Sequence, residues 1–182
     1  MGRQRLQTID IIEDKGLQDI IRFASDDPYH RPPTNTTVTR IRKCCERCPD
    51  GWARYGERCL KFHNTPKTWC KAETQCVHER GNLMSLHSAA DVKIVRDIVA
   101  AATGMRTKVW LGGYDKVEEG CWHNSDGSPF DYEPWGKGEP NNLGGSEGCM
   151  QLHNEVGQPV NDAPCNVHSA FICAMDIEEM DA

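Results

Sequence analysis

Apolar positions in WCKAETQCVHER fall at helical spacing. Trp69, Ala72 and Cys76 stand at i, i+3 and i+7, which predicts a helix capped by Thr68 and ended by Gly81. A second stripe of Val92, Val95, Ile98 and Val99 follows Ser88. Ser88 takes the N-cap position with Asp91 three residues on, the capping-box spacing, and Gly104 stops this second helix. Upstream, CPDGWARYGERCLKF places Trp52, Tyr55, Leu60 and Phe62 around a Gly-containing turn, the pattern of a hairpin that a Cys48 to Cys59 bond would staple. NLMSLHS, KVWLGGY, CMQLHN and FICAM read as strands. Residues 112–148 are rich in Gly, Pro, Asn and Asp and have little periodicity. A stretch of that length inside a compact domain is normally functional or pinned by something else.

Residues 1–43 have a different texture. Leu6, Ile9, Ile12, Leu17, Ile20 and Ile21 give only partial helical spacing, broken by Gly16, and DDPYHRPPTNTTVTR is polar with three prolines. This segment is expected to be a flexible tail and linker, followed by a cysteine-containing neck at 44–47, a main domain at 48–176 and an acidic tail at 177–182. Asn35-Thr36-Thr37 is a sequon, which reads equally as a glycan acceptor in an exported chain and as a chance tripeptide in a polar linker. The first residues, GRQRLQTIDIIEDKGLQDIIRF, are mixed and acidic, so no signal peptide is visible.

Composition narrows the classes of function. The net charge of -6 argues against a nucleic-acid partner, because phosphate binding needs a basic face. No run of apolar residues is long enough for a membrane span. Ten cysteines among 182 residues point to disulfides and an oxidising, extracellular compartment. Cys45 and Cys48 form a C-x2-C, but a zinc site would want a second close pair, and Cys70 and Cys76 stand too far apart for one. The seven histidines are scattered, with no recognisable Ser/His/Asp or Cys/His spacing, so no enzyme is expected.

CPDGW at 48–52, a helix ending near Cys76, VWLGG at 109–113, SDGSPFDYEPW at 125–135, EPNN at 139–142, and NDAPC before a final Cys173 occur in one order. From Cys48 to Met175 the chain resembles the C-type lectin-like domain in its long form. The resemblance implies an α+β fold with two helices, small antiparallel sheets, a long calcium-binding loop and disulfide staples. It implies Cys76–Cys173, Cys149–Cys165 and the hairpin bond Cys48–Cys59. Cys70 and Cys121 fall outside the common pattern and are paired with each other by remainder. Cys44 and Cys45 lie outside the domain, and neighbouring cysteines rarely bond each other. They are read as interchain bonds making a disulfide-linked homo-oligomer; the alternative is one bond to the tail and one free thiol.

Glu139, Asn141, Glu147, Asn161 and Asp162 match the sugar-binding calcium site of the family, with the Asp162 carbonyl as a further ligand. Calcium takes about six to eight hard oxygens, and these side chains carry oxygens from three short segments. In the family the bond before the Pro140 position is cis in the calcium form. Open coordination on such an ion accepts two neighbouring hydroxyls of a saccharide. Glu139 and Glu147 then accept from those hydroxyls, and Asn141 and Asn161 donate to them. The Glu-Pro-Asn order accompanies mannose, glucose, fucose or N-acetylglucosamine in the family, and Gln-Pro-Asp accompanies galactose. One such site binds at about millimolar affinity, roughly 4 kcal/mol, so useful binding needs several linked sites.

The sequence departs from the family at two places. Val160 replaces the tryptophan before the Asn-Asp pair. The accessory calcium site, matched by Asp115, Glu119 and Asn142, lacks its further Asp at Gly148 and is expected to be weak or empty. Two other readings stay open: a type II antifreeze protein, whose extra cysteines this chain replaces with Lys116, Gly136 and Gly148, and a protein-binding module of the same fold.

Overall fold

The computed structural model describes residues 48–104, 107–155 and 158–177. Residues 1–43, Asn35, Cys44 and Cys45, and the tail beyond Ile177 lie outside the described residues. The elements run β1 (Ala53–Tyr55), β2 (Arg58–Lys67), α1 (Trp69–His78), β3 (Asn82–Leu83), α2 (Ala89–Thr103), β4 (Val109–Tyr114), β5 (His123–Asn124), β6 (Glu147–Glu155), β7 (Gln158–Pro164) and β8 (Ser169–Asp176). A 3-10 turn at Leu143–Gly145 precedes β6.

One sheet carries the domain, in the order β1-β2-β8-β4-β6-β7, with β3 on β8 and β5 on β4. The expected small antiparallel sheets are joined into one because β8 pairs parallel with β4, Val109 opposite Ala170 and Trp110 opposite Phe171. Side chains along a strand alternate between faces. Ala170, Ile172 and Ala174 of β8 therefore join Val109 and Leu111 of β4, Met150 and Leu152 of β6, and Val92, Val95 and Val99 of α2 in one cluster. Phe171 and Cys173, Trp110 and Cys149 join Ala72 and Cys76 of α1 in another. The unbroken apolar runs FICAM and VWL serve both clusters at once, as expected of strands buried on both faces.

The helices begin and end for local reasons. Ser88 caps α2 by accepting from the Asp91 N–H at 3.3 Å, while the Asp91 carboxylate accepts from the His87 N–H at 2.8 Å. The same carboxylate, 4% exposed, pairs with Arg58 at 2.7 Å and so ties α2 to β2. Thr68 stands at the N-cap of α1 but makes no side-chain cap bond. The Trp69 N–H donates instead to the Cys165 carbonyl at 3.0 Å. Gly81 is required beyond α1 by space, since a Cβ there would lie 2.3 Å from the Ala174 carbonyl oxygen.

Among the described residues three disulfides form, Cys48–Cys59, Cys76–Cys173 and Cys149–Cys165. The expected Cys70–Cys121 bond does not: both thiols are exposed, and neither has a disulfide partner among the described residues. Cys70 lies on the outer side of α1, away from buried Ala72 and Cys76, and the Cys121 Sγ sits 3.5 Å from His123 Nε2.

Candidate functional site

Two strands and one turn build the site. The edge strand β7 sets Asn161 opposite Gln151 and Asp162 opposite Met150 of β6, and Glu147 opens β6 opposite Pro164. Edge position explains how β7 tolerates Pro159 and Pro164, whose missing N–H groups would break an inner strand. The turn at 139–142 docks onto β7 through Asp162, which is 1% exposed. Its two carboxylate oxygens accept from the N–H groups of Asn141 at 3.1 Å and Asn142 at 2.7 Å. Glu147 is held likewise, accepting from the Leu143 N–H at 2.9 Å, and its own N–H donates to Asn142 Oδ1 at 3.1 Å. Asn161 Nδ2 bonds to the Asp162 carbonyl oxygen. The Glu139–Pro140 bond is cis. The fold thus gathers all five sequence-derived positions into one region.

That region is electrostatically unfinished. Burial, first, and then a hydrogen bond to Asp162 and the charges of Asp162 and Glu147 push the Glu139 carboxyl above the ordinary glutamate range. One Glu139 oxygen, Oε2, is buried with no hydrogen-bond partner. A buried acceptor without a donor beside two more carboxylates fits a hard cation. Among the described residues, no group of three His, Cys, Asp or Glu side chains forms a metal cage by itself. The donor set here is mixed, carboxylate and amide, and both Asp162 carboxylate oxygens and one of Glu147 accept from N–H groups of residues 141–143.

The accessory positions behave differently. Asp115 is 3% exposed and closes the turn after β4 by accepting from the Gly120 N–H at 2.9 Å. Glu119 is exposed. The place of a side chain at Gly148 is taken by Lys116.

The fold also assembles a Ser/His/Asp cluster that no sequence spacing announced. His87 Nδ1 lies 2.7 Å from Asp131, and its Nε2 lies 3.1 Å from Ser85 Oγ and 3.3 Å from Ser128 Oγ. Both hydroxyls donate to Asp126, at 2.5 and 2.6 Å, so neither proton is directed at the imidazole as a nucleophile would require. The cluster pins the SDGSPFDYEPW segment to the residues after β3.

A disulfide-stapled α+β domain with an oxygen-rich turn docked on its edge strand defines a lectin-like module. The Lectin C-type domain model matches residues 65–175, and the chain belongs to that family. Ladderlectin of Oncorhynchus mykiss is 43% identical over 119 residues, 65% of this chain and 63% of that protein, so the chain spans somewhat less than two thirds of it. The galactose-specific lectin nattectin of Thalassophryne nattereri is 36% identical over 136 residues, 75% of this chain and 85% of that protein. Among solved structures, a calcium-independent type II antifreeze protein superposes with a TM-score of 0.65 at 36% identity, covering 71% of this chain and 95% of that one.

Proposed function

We propose that this chain is a secreted, calcium-dependent lectin for glycans ending in mannose, glucose, fucose or N-acetylglucosamine. The observation that carries the reading is the buried, unpartnered Glu139 oxygen beside Asp162 and Glu147. Glu139, Asn141, Glu147, Asn161 and Asp162 would hold the ion, with the Asp162 carbonyl. Bound there, calcium offers open coordination positions to two neighbouring sugar hydroxyls. The protein's part is to pair each hydroxyl with one carboxylate acceptor and one amide donor. Asn141 is exposed, and Glu139 and Asn161 are half-buried, so the edge open to solvent carries both donors and an acceptor. Among the described residues no helix is long and apolar enough to cross a membrane. Linkage of copies through Cys44 and Cys45 would supply the multivalency that a weak single site needs. Reducing and non-reducing gels distinguish that linkage from monomers.

The deciding experiment is a glycan array read with calcium and with a chelator. The double variant Glu139→Gln, Asn141→Asp exchanges an acceptor for a donor and a donor for an acceptor. Preference should move from mannose toward galactose by at least tenfold, the size of about 1.5–3 kcal/mol for charged hydrogen bonds. Galactose preference in the wild-type chain, or mannose binding untouched by the double variant, contradicts the donor and acceptor assignment. Calcium-insensitive ice shaping on the same preparation would favour the antifreeze reading.

Acidity gives an independent check. The raised Glu139 carboxyl takes up a proton at a higher pH than an ordinary glutamate, whose value is about 4.3, and that proton competes with the cation. Calcium affinity should therefore fall as pH drops through the raised value. The metal-free protein should show the opposite sign. A carboxyl raised in the folded state contributes stability below its unfolded value, and this is lost as pH rises through the folded value. Melting curves with and without calcium should diverge most near neutral pH and converge in acid. A calcium-induced shift that is constant across that range counts against Glu139 as a ligand.

A further inference from the structure

The turn after β4 grips the backbone on both sides of Glu147. The Asp115 N–H donates to the Gly148 carbonyl at 3.2 Å, and the Lys116 ammonium donates to the Ser146 carbonyl at 3.2 Å. Glu147 is the residue between those two carbonyls. Lys116 reaches Ser146 by lying across Gly148. A Cβ at 148 would stand 2.6 Å from Lys116 Cε, 2.8 Å from its Nζ and 2.7 Å from Asp115 Oδ1. Gly148 does not have the left-handed φ that favours glycine, so a side chain there would meet crowding and not backbone strain, from the movable end of Lys116 and from buried Asp115. The base of the lysine is fixed as well, because buried Asp115 closes its own turn onto Gly120.

An exposed lysine bonded to one carbonyl is by itself worth little. Here the glycine beneath it gives the arm a fitted bed, and the bond lands on the peptide that begins a proposed ligand. We infer that Lys116 is a positioning residue for the calcium site: its arm over Gly148 and its bond to Ser146 hold the Glu147 backbone so that the carboxylate faces the Asn142–Leu143 turn. This rests on the reading of Glu147 as a ligand. The ammonium also repels a bound cation, but it is exposed, and such repulsion fades with salt beyond a screening length of about 8 Å at physiological ionic strength. Positioning does not fade with salt, and this separates the two roles.

Lys116→Ala removes the arm, and Gly148→Ala ejects it. Each should weaken calcium binding about tenfold by titration calorimetry, the low end of what outer-shell partners contribute. The loss should persist at high salt, and the double variant should be no worse than Gly148→Ala alone, whose Cβ also meets Asp115 Oδ1. In the metal-free protein, hydrogen exchange at the amides of residues 146–148 should accelerate in both variants. Lys116→Ala changes an exposed residue and leaves the fold intact, which a melting curve checks. Calcium bound by Lys116→Ala as tightly as by wild type, or more tightly, overturns the inference, as does unchanged exchange. A wild type that takes up no calcium overturns this inference together with the reading beneath it, whereas wild-type uptake with unaltered variants overturns this inference alone.

Discussion

Asp162→Ala should abolish calcium-dependent saccharide binding, by at least about 100-fold or 2.7 kcal/mol. Asp162 has two tasks at once. It is a proposed ligand through carboxylate and carbonyl, and it anchors the 139–142 turn by accepting from the Asn141 and Asn142 N–H groups. Alanine removes the charge and leaves two N–H groups without acceptors, each costing about 1–3 kcal/mol where water cannot reach. Asp162→Asn separates the tasks, since an amide oxygen still accepts one N–H while the negative charge is gone. It should bind no calcium and yet keep the melting temperature of the metal-free wild type within a few degrees. The sheet should survive either change, because the β6–β7 ladder at this position runs through backbone groups. Retention by a mannose column that still releases on chelation in Asp162→Ala would remove the site from this turn.

Much of this architecture is legible along the chain. Helices α1 and α2 declare themselves because each has one buried face, and their apolar positions repeat at the helical period. The β1–β2 hairpin shows through its cysteines and Gly-containing turn. Strand β7 hides because it is largely polar and carries Pro159 and Pro164 near its two ends, signals that ordinarily mark a loop, and only its edge position makes them harmless. The parallel β4–β8 pair hides for another reason: periodicity shows that a strand is buried but never names its neighbour. Counting thiols pairs Cys70 with Cys121, but a count carries no distance, and the two are not bonded to each other. The His87 cluster draws on residues 85–131, brought together by tertiary packing alone. The proposed ligand positions are read from motif order, whereas the Lys116 arm depends on an absent side chain at Gly148, which a sequence shows only as a glycine.

Removing Cys76–Cys173 should cost the domain more than any other covalent change. This bond closes 97 residues and joins α1 to β8, with both sulfurs inside the core at 0% exposure. Restricting an unfolded chain over that length contributes about 4.7 kcal/mol in the loop-entropy description. Whole-domain stability is only about 5–15 kcal/mol, so Cys76→Ala with Cys173→Ala should lower the melting temperature by tens of degrees or prevent folding at 37 °C. Cys149–Cys165 closes 16 residues, for which the same description gives about 3 kcal/mol. Its position reverses the functional order. Cys149 follows Glu147 by two residues on β6, and Cys165 follows Asp162 by three, one residue beyond the end of β7. The bond therefore sets the separation of two strands that carry proposed ligands. Cys149→Ala with Cys165→Ala should fold at room temperature and lose calcium affinity far out of proportion to its stability. Paired melting and calcium titrations of the two double variants test this partition. If affinity simply tracks melting temperature across both, the smaller loop has no special hold on the site.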